Sequence, residues 1–322
     1  MQSQVRGLAA ALNCPQAVEK TCGLRLPWRW LPNRRLWANL AAAEGDSLAP
    51  PWPDLLISCG RKAALLSMAV RRASEGRVRT VHIQDPLVDP AAFDLVVVPQ
   101  HDRLRGDNVL VSRGALHHVT PPLLAAAAER FADRLGGLPR PRLAVLVGGP
   151  NRYFASPPDW LRQLGGEAAA AARQSGGSLL ATISRRTPAD ARGALRATLA
   201  EVPHDYWEGE GENPYLAYLA MADAILVTGD STSMISEACA TGAPVHVALP
   251  PLKRPARGVP HRFAAFYESF RAAGAIRWWE GGLSWDAAPG ALPQRVTPLN
   301  DTAEIASAIA RRLNLPERPT GR

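Results

Sequence analysis

The stretch from Ala224 to Ala248, AILVTGDSTSMISEACATGAPVHVA, brings together the residue types best arranged for chemistry. Ile225-Leu226-Val227-Thr228 is the kind of apolar run that forms a buried parallel strand. Gly229 and Asp230 break it, and Ser231, Thr232 and Ser233 supply capping hydroxyls for a helix from Met234 to Ala240. Thr241-Gly242 ends that helix and Pro244 leads into a second apolar run, Val245 to Leu249. A helix therefore starts at the carboxyl end of a strand. Its unpaired N–H groups and positive dipole end suit a phosphate or carboxylate. Glu237 falls about a turn and a half further on, where a carboxylate can accept hydrogen bonds from vicinal hydroxyls such as those of a ribose. The same pattern also describes a capped helix that holds nothing.

Other strand ends carry similar chemistry. Gly60, Arg61 and Lys62 stand at a helix start after the strand Asp54 to Ser58, a second anion position on the acceptor side. His101 and Asp102 follow the strand Asp94 to Val98 and are the candidates for a general base; a capping turn accounts for them equally. Gly148-Gly149-Pro150-Asn151 follows the strand Leu143 to Val147. Ser184-Arg185-Arg186 closes the strand Leu179 to Ser184, and the paired guanidinium groups there could bind a diphosphate or be solvated. No DxD-type acidic pair falls at a strand end, so no metal site is expected.

The elements that must position these residues follow a simple alternation. Helices are expected at Gln2 to Leu12, Ala63 to Ala73, Thr120 to about Leu135, Pro158 to Gln174, Pro188 to Leu199, Tyr215 to Ala222, Arg262 to Ala273 and Asp301 to Leu313. Strands separate most of them, and 204–212 reads as a loop. This is the pattern of an α/β protein with largely parallel sheets. Ligands in such folds bind at the strand carboxyl ends. The composition of Gly136 to Pro141 reads as a linker, dividing the chain into 1–138, 139–300 and a closing helix with polar tail over 301–322.

Length and composition narrow the function. The 322 residues, 47% hydrophobic and 20% charged, can build two cores. No apolar run approaches the ~18 residues of a membrane span, and no signal peptide is read at the start. Cys14, Cys22, Cys59 and Cys239 have no metal spacing and are expected to be reduced thiols. The net charge of +8 comes from scattered arginines, without the basic runs or aromatic motifs of nucleic-acid binding. Trp28, Trp30 and Trp37 interleave with Arg25, Arg29, Arg34 and Arg35. That segment is either an interfacial patch for an anionic membrane or a surface stretch whose indoles tuck onto the domain. The expected location is the cytoplasm, with a peripheral place on the inner membrane face as the second option.

Taken together, these motifs resemble a known family. Leu143 to Asn151, Thr182 to Pro188, Glu212-Asn213-Pro214-Tyr215 and Thr228 to Ala238 are similar to bacterial relatives of the plant mitochondrial-fission, or elongated-mitochondria, proteins. Ser58-Cys59-Gly60-Arg61, His82 to Pro86, Phe93 to Asp102 and Arg105 to Val109 agree, so the resemblance covers about residues 2 to 312. It implies a glycosyltransferase B-type arrangement, two Rossmann-like domains facing across a nucleotide-sugar cleft. It also implies a distant similarity to transferases that make peptidoglycan and lipid A precursors. By motif position, diphosphate and ribose would be held by Gly148-Gly149, by Ser231 to Met234 and by Glu237. Asn151, Ser184, Arg185, Arg186 and Asp230 complete the expected nucleotide site. Relatives begin with a strand and glycine-rich loop before the first helix, and this chain opens inside that loop.

Two functions follow as expectations. In the first, a nucleoside diphosphate sugar gives its sugar to an acceptor hydroxyl without an essential metal or further cofactor. Helix N-termini, Arg185 and Arg186 would neutralise the leaving diphosphate. In the second, the protein binds a nucleotide without turnover and serves recruitment at a membrane, as the plant member does. A Rossmann dehydrogenase is disfavoured, because no GxGxxG follows a strand with an acidic residue about 20 positions on.

Overall fold

The computed structural model describes residues 2–14, 16–30, 39–281 and 291–315. The chain divides into two compact units, one of residues 1–118 with 301–322 and one of residues 119–300.

The first unit opens with α1 (Gln2–Ala11), followed by a short antiparallel pair, β1 (Cys22–Leu24) and β2 (Ala43–Gly45). Then come β3 (Leu55–Cys59), α2 (Arg61–Ala73), β4 (Arg79–Ile83), β5 (Leu95–Pro99) and β6 (Val109–Ser112). The strands β3 to β6 form a parallel sheet in sequence order. Side chains alternate across it. Val81, Ile83, Leu95 and Val97 pack with Leu8 of α1 and with Ile305, Ile309 and Leu313 of the last helix. Val96 and Val98 meet Ala64 and Met68 of α2 on the other face.

The second unit contains α3 (Pro121–Arg130), α4 (Ala132–Leu135), β7 (Arg142–Val147), α5 (Pro158–Ser175), β8 (Ser178–Ile183), α6 (Ala189–Leu199) and β9 (His204–Trp207). It continues through α7 (Tyr215–Met221), β10 (Ala224–Thr228), α8 (Thr232–Cys239), β11 (Val245–Ala248), α9 (His261–Ala272) and β12 (Ile276–Trp278). Among the described residues these strands make one sheet in the order β12-β11-β10-β7-β8-β9, parallel throughout. The chain steps one way from β7 to β9 and the other way from β10 to β12. The reversal lies between β7 and β10, where an open α/β sheet leaves a crevice at its carboxyl edge. Leu143, Val145 and Val147 face α5 and α6. Ala144 and Leu146 face the core built with α3, α7, α8 and α9.

The α/β class and the parallel sheets are as the sequence indicates, and three local features differ. The segment 204–212 begins with a strand, β9, because the half-buried edge position beside β8 accepts the polar run His204-Asp205-Tyr206-Trp207. The alanine-rich helix divides at Phe131, whose φ of −105° and ψ of 12° lie outside helical values. Phe131, Leu135, Leu124 and Ala127 pack into the core of the second unit, so that core takes in the residues before Gly136. The Gly136–Pro141 segment is then internal to this unit. Arg142 Nη2 donates to the carbonyls of Gly136 (2.8 Å) and Leu138 (3.0 Å), and Arg140 pairs with Asp223.

The closing helix, α10 (Asp301–Leu313), belongs to the first unit. Asp301 accepts the Gly114 N–H at 2.6 Å, and the Thr302 hydroxyl accepts the His117 N–H at 3.0 Å. No helix among the described residues is long and apolar enough to cross a membrane.

Candidate functional site

The turn after β7 and the turn after β10 meet at the reversal of strand order. Gly148 N–H donates to Thr228 Oγ1 (2.7 Å), and Gly149 N–H donates to Asp230 Oδ2 (2.9 Å). Thr228 in turn donates its hydroxyl proton to Asp230 Oδ1 at 2.7 Å. Asn151 Nδ2 reaches the Asp230 carbonyl (3.2 Å), while its Oδ1 accepts the N–H groups of Tyr153 and Phe154. Both glycines are required by space. A Cβ on Gly148 would lie 2.1 Å from Asp230 Oδ2, and one on Gly149 would lie 2.8 Å from Arg186 Cβ.

The Gly148 and Gly149 amides therefore do something other than the resemblance implies. They bind the Thr228 hydroxyl and the Asp230 carboxylate of their own chain. Asp230 is 7% exposed. Burial pushes its carboxyl pKa up, against the hydrogen bonds from Thr228 and Gly149 and the field of Arg186, which pull it down. It acts as a clamp between the two turns.

The start of α8 follows directly. Ser231 is the N-cap, with its hydroxyl oxygen accepting the Met234 N–H at 3.4 Å. The first N–H groups of a helix have no acceptor within it. Those of Thr232 and Ser233 thus have no acceptor within α8. Beneath them, Glu237 is 7% exposed and its Oε2 accepts the Tyr215 hydroxyl at 2.6 Å. Burial, then the negative charge of Glu237, raises the Tyr215 phenol well above its ordinary pKa, so it stays a donor. Tyr267 braces the same turn, donating its hydroxyl to the Gly229 carbonyl at 2.5 Å.

On the other side of the reversal, Ser184 N–H donates to the Val147 carbonyl (2.8 Å) and Ser184 Oγ accepts the Arg186 N–H (3.2 Å). Arg185 and Arg186 are exposed. Thr187 donates its hydroxyl to the Gly148 carbonyl at 2.7 Å. Gly148, Gly149, Asn151, Ser184, Arg186, Asp230, Ser231 and Glu237 are thus joined through one set of neighbouring turns and the helix that follows.

The remaining expected residues lie in the first unit. His101 and Asp102 occupy a turn after β5, where Arg105 donates to the carbonyls of Asp102 (2.6 Å) and Gln100 (3.1 Å). Gly60 precedes α2 with a φ of +94°, a conformation that favours glycine, and Arg61 is exposed at the helix start. Trp28 and Trp30 sit in a turn after β1, 38% and 82% exposed. Arg34, Arg35 and Trp37 lie outside the described residues.

Tyr215, Tyr267, Thr187 and Thr228 have structural roles in the site that the sequence does not assign. Tyr215 had a local signal: Asn213 Oδ1 accepts the Tyr215 N–H at 2.9 Å, an Asx turn that opens α7. Among the described residues no group of three His, Cys, Asp or Glu side chains could hold a metal ion.

Comparison with known proteins adds the lineage. The chain is 32% identical over 292 residues to the mitochondrial fission protein ELM1 of Arabidopsis thaliana, covering 81% of this chain and 64% of that protein. It is 24% identical over 238 residues to the uncharacterized protein RP120 of Rickettsia prowazekii, covering 62% of this chain and 65% of that one. It therefore spans less than two thirds of the length of either relative. Among solved structures, it is similar to a UDP-GlcNAc 2-epimerase of Neisseria meningitidis bound to UDP-GlcNAc. The TM-score is 0.46 at 15% identity, over 82% of this chain and 77% of that one. MurG of Acinetobacter baumannii gives a TM-score of 0.39 at 12% identity, over 80% and 66% of the two chains. The family model for mitochondrial fission ELM1 matches residues 1–313, and the chain belongs to that family.

Proposed function

We propose that the second unit binds a nucleoside diphosphate, free or as its sugar ester, where the turns after β7 and β10 meet. The observation that carries this reading is the pairing of the α8 start with the buried Glu237 at the reversal of strand order. The diphosphate meets the Thr232 and Ser233 amides and the guanidinium groups of Arg185 and Arg186. Glu237, held by Tyr215, accepts hydrogen bonds from the ribose hydroxyls. Gly148 and Gly149 contribute by having no side chain, and Asp230 fixes the shape of the turn.

In a transfer reaction, the acceptor hydroxyl oxygen would bond to the anomeric carbon as the bond from that carbon to the diphosphate breaks. The diphosphate leaves with the electron pair, and the acceptor proton passes to a general base. Isothermal calorimetry with UDP, GDP, ADP and CMP tests the binding step. A diphosphate should bind, and Glu237→Gln and Tyr215→Phe should each weaken it about tenfold, the worth of a hydrogen bond to a charged group. Unchanged affinity in a folded Glu237→Gln protein removes the ribose assignment. A wild type that binds none of these nucleotides overturns the site.

A second reading, attachment to an anionic membrane surface, is favoured by one observation. Leu26, Trp28 and Trp30 are 60%, 38% and 82% exposed beside Arg25 and Arg29. Flotation with phosphatidylglycerol vesicles tests it, and a wild type that never co-floats refutes it.

A further inference from the structure

One feature of the second unit lies outside the nucleotide site. A hollow of about 310 Å³ opens between α5 and the carboxyl ends of β11 and β12. Its walls include Trp160, Gln163 and Glu167 of α5, Leu249 after β11, and Trp279 and Glu280 after β12. The α5 residues recur at i, i+3 and i+7, one face of the helix.

The electrostatics of this hollow run against those of the molecule. The chain carries a net charge of +8, yet among the described residues the lining contains two carboxylates and no Lys or Arg. Glu167 Oε1 accepts from Gln163 Nε2 (2.8 Å) and its Oε2 accepts from Trp279 Nε1 (2.7 Å). Both donors are neutral, so the carboxylate is oriented but its charge is not balanced. Among the described residues neither Glu167 nor Glu280 forms an ion pair. Arg277 bears on His246, whose ring meets the Trp279 ring edge-on at 6.0 Å, and is not part of the lining. Two indoles beside two unbalanced carboxylates is the chemistry that holds an organic cation.

We propose that this hollow binds a small organic cation, an alkylammonium or guanidinium group. The volume lies at the lower end for ligand pockets, which suits a compact head group. The two carboxylates repel phosphate, so the nucleotide and the cation occupy different places. They share one wall: Leu249 Cδ2 lies 2.8 Å from where a Cβ on Gly229 would stand. The cation is either a free amine or a Lys or Arg side chain of a partner segment.

Isothermal calorimetry on the full chain distinguishes these sources. The probes are tetramethylammonium, spermidine, arginine amide and the peptide acetyl-Gly-Arg-Gly-amide, with neutral N-acetylglucosamine as the control. Saturable binding of a cation but not of the sugar is expected. Trp160→Ala should weaken it about tenfold, as loss of a cation–aromatic contact would, and Glu280→Gln, at an exposed carboxylate, about threefold. Glu280→Gln should keep the wild-type melting temperature, which shows that its loss is local; Trp160→Ala also removes packing against the core of α5 and is read for binding on the folded fraction. Binding of the simple amines supports a free-amine site; binding of only the arginine-bearing probes supports a partner side chain. No saturable cation binding overturns the proposal. So does equal binding of the sugar with no effect of Glu280→Gln.

Discussion

Replacing Gly148 with alanine tests whether the Asp230 clamp holds the two turns together. The new methyl carbon would stand 2.1 Å from Asp230 Oδ2 and 2.6 Å from both Cγ and Oδ1. Ordinary contact begins near 3.4 Å, so the carboxylate must withdraw by about 1 Å. Its side chain is short and buried, and the withdrawal breaks the bonds from Gly149 N–H and the Thr228 hydroxyl. A hydrogen bond to a charged group contributes about 1.5–3 kcal/mol, so losing both costs roughly 3–6 kcal/mol before relaxation. Urea denaturation of four proteins measures it: wild type, Gly148→Ala, Asp230→Ala and the double variant. Once Asp230 is cut back to alanine, the methyl group has room, and adding Gly148→Ala should cost less than about 1 kcal/mol. The cycle should then show a coupling of about 2 kcal/mol or more. If the two substitutions simply add, Gly148 is not a glycine for the sake of Asp230, and the clamp is wrong.

Two further outcomes follow from buried groups. Burial holds His82 and His246 neutral, each with its pKa pulled down to about 4; the positive charge of Arg277 adds to the effect at His246. A lowered histidine pKa means the unfolded chain binds the extra proton first, so stability is kept above pH 6.5 and lost as pH falls toward 4. Each histidine should contribute a loss of about 2.5 kcal/mol by pH 4.5. Urea midpoints at pH 7 and 4.5 should show this, with a flatter profile for His82→Asn; identical profiles would refute it. In α1, a Cβ on Gly7 would lie 2.2 Å from the His117 carbonyl oxygen, and backbone cannot easily retreat. Gly7→Ala should destabilise by about 1–3 kcal/mol even though alanine favours helix. A stabilised variant would show that α1 does not dock so closely.

The sequence showed the alternation of strands and helices because β7, β8, β10 and β11 are largely apolar runs, β7 and β10 ended at once by glycine. Such runs carry their own signal, whatever they pack against. β9 escaped because His204-Asp205-Tyr206-Trp207 is polar, and its strand form comes from β8 alongside it. The start of α8 was legible from Ser231, since a cap is a local interaction. The Asp230 clamp was not, because Gly149 and Asp230 are 81 positions apart and nothing near either residue announces the other. The same holds for the bond between Trp279 and Glu167, 112 positions apart. Glycine at 148 and 149 was conspicuous, but composition cannot say whether it admits a ligand's phosphate or the chain's own carboxylate.

The docking of α10 beside the His117 backbone has a consequence for synthesis on the ribosome. Residues 119–300 form an uninterrupted segment and can complete their sheet as soon as they emerge. The earlier-made strands β3 to β6, with only α1 on that face, must wait with part of it uncovered until Ile305, Ile309 and Leu313 arrive. The portion translated first is therefore finished last, and during that interval its exposed valines and leucines are a target for chaperones and proteases.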